Sequence, residues 1–292
     1  MKPAIIRTRA ELRTRVDAFA KAGEQIGVVP TMGSLHAGHL SLIEAATTAT
    51  DRVIVTIFVN PRQFNNPDDL RIYPRDEAAD IAALTPFEVD LIYAPDPVEI
   101  YPPGFATTIS VAGISEGLCG AHRPGHFDGV STVVAKLLVQ TGADRAFFGE
   151  KDFQQLAVVR RMVVDLDIGC EIIGCPTVRA ENGLALSSRN ALLDDDARLR
   201  AGAIHRALMQ ASRNIRASMP LDEALGLAET TILAAGFQQV EYLELRDLVD
   251  FKRQTRLAGP ARLLVAAHIS GVRLIDNIAV DPDEPNGPLR PA

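Results

Sequence analysis

IGVVPTMGSLHAGHLSLIEAA, residues Ile26 to Ala46, passes from an apolar run through a glycine-containing turn into a helical pattern. Ile26 to Pro30 reads as a buried strand, and the spacing beyond the turn predicts a helix from Leu40 to Ala49. A strand feeding a helix is a βα junction, where unpaired N–H groups and the positive end of the helix dipole favour an anion. Gly33 and Gly38 carry no Cβ and let a ligand come close to the backbone. His36 and His39, three residues apart, lie on nearly one face of the first turn. There they can donate hydrogen bonds to a phosphoryl group as its charge redistributes. The competing reading is an ordinary helix start with two solvated histidines, and zinc is disfavoured because no third ligand lies nearby in sequence.

Further β-rich runs follow at VIVTIFV from Val53, DLIYAP from Asp90, RAFFG from Arg145 and CEIIGCP from Cys170. Helices are expected between them at Asp76 to Leu84, Val130 to Gln140 and Gln154 to Asp165. Strands apolar on both faces belong to a parallel sheet covered by helices on each side, so the fold class is α/β with a doubly wound, Rossmann-like sheet. After Pro176 the texture changes. A polar loop, RAENGLALSSRN, precedes Ala-rich helical patterns at Asp194 to Ser218 and Leu221 to Ala235, then strand-like runs from Val240, Ala261 and Val272. These predict a second, smaller α+β domain. The expected division is 1–177 and 178–292, with a disordered, Pro-rich tail from Asp281.

Composition narrows the function classes. The chain has 292 residues, 47% of them hydrophobic, enough for a sizeable core. A net charge of −7 without blocks of like charge argues against a nucleic acid held by its phosphates. The apolar run before Arg7 is too short for a signal peptide and no later run reaches membrane-spanning length, so a cytoplasmic protein is expected. Cys119, Cys170 and Cys175 are odd in number and lack zinc-site spacing, which predicts free thiols.

Other polar clusters sit where an open α/β sheet binds ligands. FFGEKDFQQL, Phe147 to Leu156, places Gly149, Lys151 and Asp152 at the end of a strand. Lys151 suits a phosphate as a point charge; Asp152 suits a ribose or a helix cap, the cap being the stronger reading from the residues alone. LSSRN, Leu186 to Asn190, offers two hydroxyls and an arginine to outer phosphates, or else an N-cap loop before Asp194. FVNPRQF, Phe58 to Phe64, sets the Gln63 amide among apolar neighbours, a combination suited to a small polar organic substrate, while Asn60 suits a turn cap before Pro61. RPGHFDGV, Arg123 to Val130, brings Arg123 and His126 on a Gly/Pro-rich segment that reads as a lid or, more simply, a surface loop.

Taken in order, PTMGSLHAGHLSLI, FVNPRQF, YPRD, RPGHFDGV, FFGEKDFQQL and GLALSSRN resemble the pantothenate synthetase (pantoate–β-alanine ligase) family across most of residues 25–193. His36-Ala37-Gly38-His39 matches the signature of the wider nucleotidylyltransferase and class I aminoacyl-tRNA synthetase superfamily, and LSSRN lies where that superfamily has a mobile loop. The resemblance implies an ATP-dependent ligase that joins pantoate to β-alanine through pantoyl adenylate, releasing pyrophosphate and AMP. It implies an ATP site lined by Met32, Gly33, Ser34, Leu35, His36, Ala37, Gly38 and His39 and by Gly149, Glu150, Lys151 and Asp152. Val178 would meet adenine, and Leu186, Ser187, Ser188 and Arg189 would close over the triphosphate. His39, His36 and Lys151 take the catalytic roles. Gln63 and Gln155 would hold pantoate, with Asn60, Arg123 and His126 lining the same substrate site. Magnesium is expected with ATP; Asp76, Glu77 and Asp80 are the candidate ligands, with Asp80 preferred. The implied assembly is a homodimer with small-molecule partners, no nucleic acid and no membrane. The rivals are a nucleotidylyltransferase with a stable adenylated product, a truncated aminoacyl-tRNA synthetase, and a nucleotide-binding sensor.

Overall fold

The computed structural model describes residues 3–65 and 67–282, so from residue 283 the tail expected to be disordered lies outside the described residues. The chain divides into two compact units, Met1–Val178 and Arg179–Ala292.

In the first unit six strands run parallel: β1 (Ala4–Ile6), β2 (Ile26–Thr31), β3 (Arg52–Ile57), β4 (Leu91–Tyr93), β5 (Arg145–Gly149) and β6 (Glu171–Cys175), in the spatial order β1-β4-β3-β2-β5-β6. Val28, Val29, Ile54, Val55, Ile92 and Ala146 are fully buried, as strands covered on both faces require. Around the sheet lie α1 (Arg9–Ala22), α2 (Ala37–Ala49), α3 (Pro67–Ile72), α4 (Glu77–Leu84), α5 (Pro97–Ile100), α6 (Leu118–His122), α7 (His126–Thr141) and α8 (Phe153–Asp165). The order reverses between β2 and β5. β3 and β4 lie to one side, β5 and β6 to the other, and the carboxyl ends of β2 and β5 flank the switch point at which open α/β sheets bind ligands.

Local chemistry moves several element starts from their expected places. α2 begins at Ala37 and not at Leu40, because His36 caps it. α7 begins at His126 and not at Val130. RPGHFDGV is therefore no surface loop: Gly125, at φ 76°, turns the chain and the HFDG half is the first turn of a helix, with His126 and Phe127 buried. α1 was not foreshadowed by apolar periodicity, yet Thr8 and Glu11 form a reciprocal capping box at its start.

The second unit has α9 (Asp195–Ala201), α10 (Ala203–Arg216), α11 (Leu221–Ala234) and an antiparallel sheet of β7 (Gln239–Asp247), β8 (Ala261–Ile269) and β9 (Val272–Val280). The single helix expected from Asp194 to Ser218 is two, broken at Gly202. A Cβ there would stand 2.3 Å from the Asn182 carbonyl oxygen, so the residue is small because another backbone passes.

Candidate active site

The turn after β2 is held by hydrogen bonds that reach β3 and α4. Thr31 Oγ1 donates to the Thr56 carbonyl (2.7 Å) and accepts from Gly33 N–H (3.2 Å). Gly33 (φ 79°) and Ser34 (φ 52°) are both left-handed, and a Cβ on Gly33 would come 2.8 Å from an Asp80 carboxylate oxygen. That carboxylate accepts Ser34 N–H at 3.0 Å and Leu35 N–H at 2.7 Å.

His36 and His39 then make a reciprocal cap on α2. His36 Nδ1 accepts Gly38 N–H (3.1 Å), His39 Nδ1 accepts His36 N–H (3.4 Å), and the ring centroids are 4.1 Å apart. Because both Nδ1 atoms accept, each neutral ring carries its proton on Nε2. Burial, then the charge of Lys151, push His36 down to about 4; burial, then His36, push His39 down to about 3. At neutral pH the pair is two uncharged N–H donors.

Across the switch point, Gly149 ends β5 and Glu150–Asp152 forms a 3-10 turn into α8. Asp152 occupies the N-cap position of α8 without a side-chain capping bond, so the capping role expected of it is not the one it has. Its carboxylate stands 3.5 Å from Lys151 Nζ, and both charges act on the histidine pair. Gln155 lies half-buried in the first turn of α8.

The third wall follows β3. Asn60 caps the 3-10 turn Pro61–Gln63 and is buried with its amide fully engaged. Its Nδ2 donates to Gln63 Oε1 and to the Gly129 carbonyl, both at 3.0 Å; its Oδ1 accepts Arg62 N–H (3.3 Å) and the Tyr101 hydroxyl (2.8 Å). Gln63 Nε2 donates to Met32 Sδ at 3.1 Å, which joins this wall to the turn after β2. His126 Nδ1 and Arg123 Nη2 meet the Gln63 carbonyl at 2.8 and 3.1 Å, and Arg123 Nη1 lies 3.1 Å from His126 Nε2. The structure thus brings Met32 to His39, Gly149 to Asp152, Asn60, Gln63, Arg123 and His126 into the first unit, with Arg123 and His126 gripping the main chain of Gln63. Val178 is the last residue of that unit. Leu186, Ser187, Ser188 and Arg189 belong to the second, where Ser187 Oγ caps the 3-10 turn Ser188–Leu192.

Tyr101, Gln154 and Asp80 supply structure that the motifs did not reveal. Gln154, buried beside the half-buried Gln155, accepts Cys119 N–H and donates to the carbonyls of Ile114 and Gly117. Nothing in the sequence marks Tyr101, which reaches Asn60 from 41 residues away. The residues present do not make a dedicated magnesium cage. Among the described residues no group of three or more His, Cys, Asp or Glu converges as a metal site, and both oxygens of Asp80 are on loop amides.

Comparison with known proteins gives the family and the fold. The family model for pantoate-beta-alanine ligase matches residues 4–279. The pantothenate synthetase of Chelativorans sp. (strain BNC1) is 60% identical over 280 residues, covering 96% of this chain and 99% of that protein. The crystal structure of pantothenate synthetase from Thermus thermophilus superposes with a TM-score of 0.90 at 43% identity, covering 96% of this chain and all of that one (100%). That of pantoate-beta-alanine ligase from Francisella tularensis, complexed with beta-gamma ATP and beta-alanine, has a TM-score of 0.81 at 37% identity, over 94% and 97% of the two chains. By its sequence over residues 4–279 and by its fold, this chain belongs to the pantoate–β-alanine ligase family.

Proposed function

We propose that the protein condenses pantoate with β-alanine at the expense of ATP, through pantoyl adenylate. The observation that carries this reading is the Gln63 Nε2 to Met32 Sδ contact, which sets a buried amide suited to a small polar acid directly against the nucleotide turn. A carboxylate is a poor acyl donor, so its oxygen first attacks the α-phosphorus of ATP and pyrophosphate departs. The β-alanine amine then attacks the acyl carbon, AMP leaves, and the amine gives up a proton. In the first step the Nε2–H donors of His36 and His39, with Lys151, stabilise charge on the phosphoryl oxygens; pyrophosphate needs no proton to leave, so neutral donors suffice. Gln63 and Gln155 orient pantoate, and Leu186 to Arg189 contribute to the triphosphate. Magnesium bound with the nucleotide would be held by phosphates and water and would offset the phosphate charge.

No helix among the described residues is long and apolar enough to cross a membrane. A cytoplasmic homodimer completes the proposal, on the family resemblance, and sedimentation equilibrium checks the assembly. The deciding experiment is exchange of labelled pyrophosphate into ATP with pantoate alone, β-alanine alone, and other acids. Exchange that requires pantoate supports the reading; exchange driven by another acid, or a stable adenylated product, replaces it with a nucleotidyl transfer to a different acceptor.

A further inference from the structure

We infer that Asp80 is a positioning residue that builds the nucleotide turn of Gly33–Leu35, and that it does not ligate magnesium. The inference rests on the proposed assignment of that turn to ATP. Asp80 lies in the first turn of α4, 3% exposed, and its own N–H is tied to the Asp76 carbonyl at 3.0 Å while Asp76 Oδ1 caps Ala79. The main chain of Asp80 is therefore fixed by its own helix, and the carboxylate projects from it to the turn.

Its two oxygens meet two consecutive amides, Oδ2 with Ser34 and Oδ1 with Leu35. Turn conformations let a chain converge consecutive N–H groups on one anion, and here Gly33 and Ser34, both left-handed at φ 79° and 52°, make that turn. Ser34 is not glycine, so something must hold it there; the carboxylate is that something. Gly33 answers the same need from the other side, since any Cβ would stand 2.8 Å from Oδ2. Leu35 leads directly into His36, whose extended backbone (φ −136°) starts the reciprocal cap and aims both imidazole N–H groups. Asp80 thus acts on the reacting phosphate through Leu35 and His36. A magnesium ion keeps several waters and demands octahedral space, which a 3% exposed carboxylate facing two amides does not offer.

Amide hydrogen exchange by NMR on the full, substrate-free chain tests this. Wild type should protect both Ser34 and Leu35 amides; rapid exchange at both overturns the inference without any variant. Asp80→Asn keeps the shape but replaces one acceptor with a donor, so at least one of the two amides should exchange tenfold faster or more. In the same variant pantoate-dependent pyrophosphate exchange should fall at least tenfold in kcat, and its dependence on free magnesium should not move. Asp80→Glu should fail to rescue, because the added methylene pushes the carboxylate into the turn. If Asp80→Asn does not fold, Gly33→Ala should give the same faster exchange by displacing Oδ2. A magnesium requirement shifted upward in Asp80→Asn, with activity recovered by more metal or by Glu, makes Asp80 a ligand and overturns the inference. Loss of the pantoate requirement in wild type would strike the functional reading alone, since amide protection is measured without substrate.

Discussion

His36 and His39 show how a four-residue signature fixes a protonation state. Each Nδ1 is consumed by a backbone amide, so the protonated edge must be Nε2, and burial keeps the second proton off. Proton NMR titration should find neither ring charging above about pH 5, with the resonances assigned by His36→Gln and His39→Gln; titration of either near 6.5 would contradict the assignment. The folded values of the two rings, about 4 and about 3, lie below the ordinary 6.5, so as pH falls the unfolded chain takes up protons first. The stability they contribute is whole above about 6.5 and drains away between there and about 3. The double Gln variant should lose less of its urea midpoint between pH 7 and pH 5 than wild type does. For chemistry, His39→Ala should cut adenylate formation on the order of a hundredfold, the cost of one oriented donor; near-normal rates of pantoate-dependent pyrophosphate exchange would remove His39 from the mechanism.

At the scale of elements, α7 and the Pro61–Gln63 turn touch so closely that glycine is required. A Cβ on Gly129 would stand 2.3 Å from the Arg62 carbonyl oxygen and 2.7 Å from Gln63 N, and the Gly129 carbonyl itself accepts from Asn60. Gly129→Ala favours the helix by roughly 1 kcal/mol, yet it must push Gln63 away. The expected outcome is a pantoate KM raised tenfold or more with ATP binding held within a few-fold, read by steady-state kinetics and calorimetry; unchanged pantoate KM would mean that the turn does not hold the acid. Sequence patterns had disclosed the strands, because a buried parallel strand is an uninterrupted apolar run, and they had disclosed the βα turns, because glycine and histidine stand out. They missed α7's first turn, where Gly125 and Pro124 imitate a loop. They also missed Tyr101, and they offered Asp80 to a metal without its bonds to the loop amides, because the partners lie 41 and 45 or 46 residues away and follow no local period. Asp152 misled for a related reason: position at a helix start is legible, but whether the side chain turns back to cap it is settled by neighbours such as Lys151.

Across the whole molecule, each unit has a hydrophobic core of its own: Val29, Ile43, Val55 and Phe147 belong to one cluster, Ile204, Leu208, Leu245 and Val265 to another. The second unit opens with a residue bound to its last strand. Arg179, its first residue, forms a two-pronged pair with Asp276 of β9 at 2.6 and 2.8 Å and also donates to the Gly183 carbonyl. Asp276 accepts its neighbour Asn277's N–H as well, and its side chain is 4% exposed. Removing one member of such a pair leaves the other charge desolvated, at about 3–5 kcal/mol where burial is complete and less here because Arg179 keeps 17% of its exposure. Asp276→Ala should therefore loosen the second unit and spare the first. Hydrogen exchange read by mass spectrometry separates the cases: peptides from β7, β8 and β9 should lose protection while those from β2, β3 and β5 keep theirs, and pantoate-independent ATP affinity should be measured alongside. Equal loss of protection in both sets would mean that the two cores melt as one cooperative body. In that event the pair at Arg179 stabilises the entire ligase, and the division after Val178 marks a change of topology and not of folding.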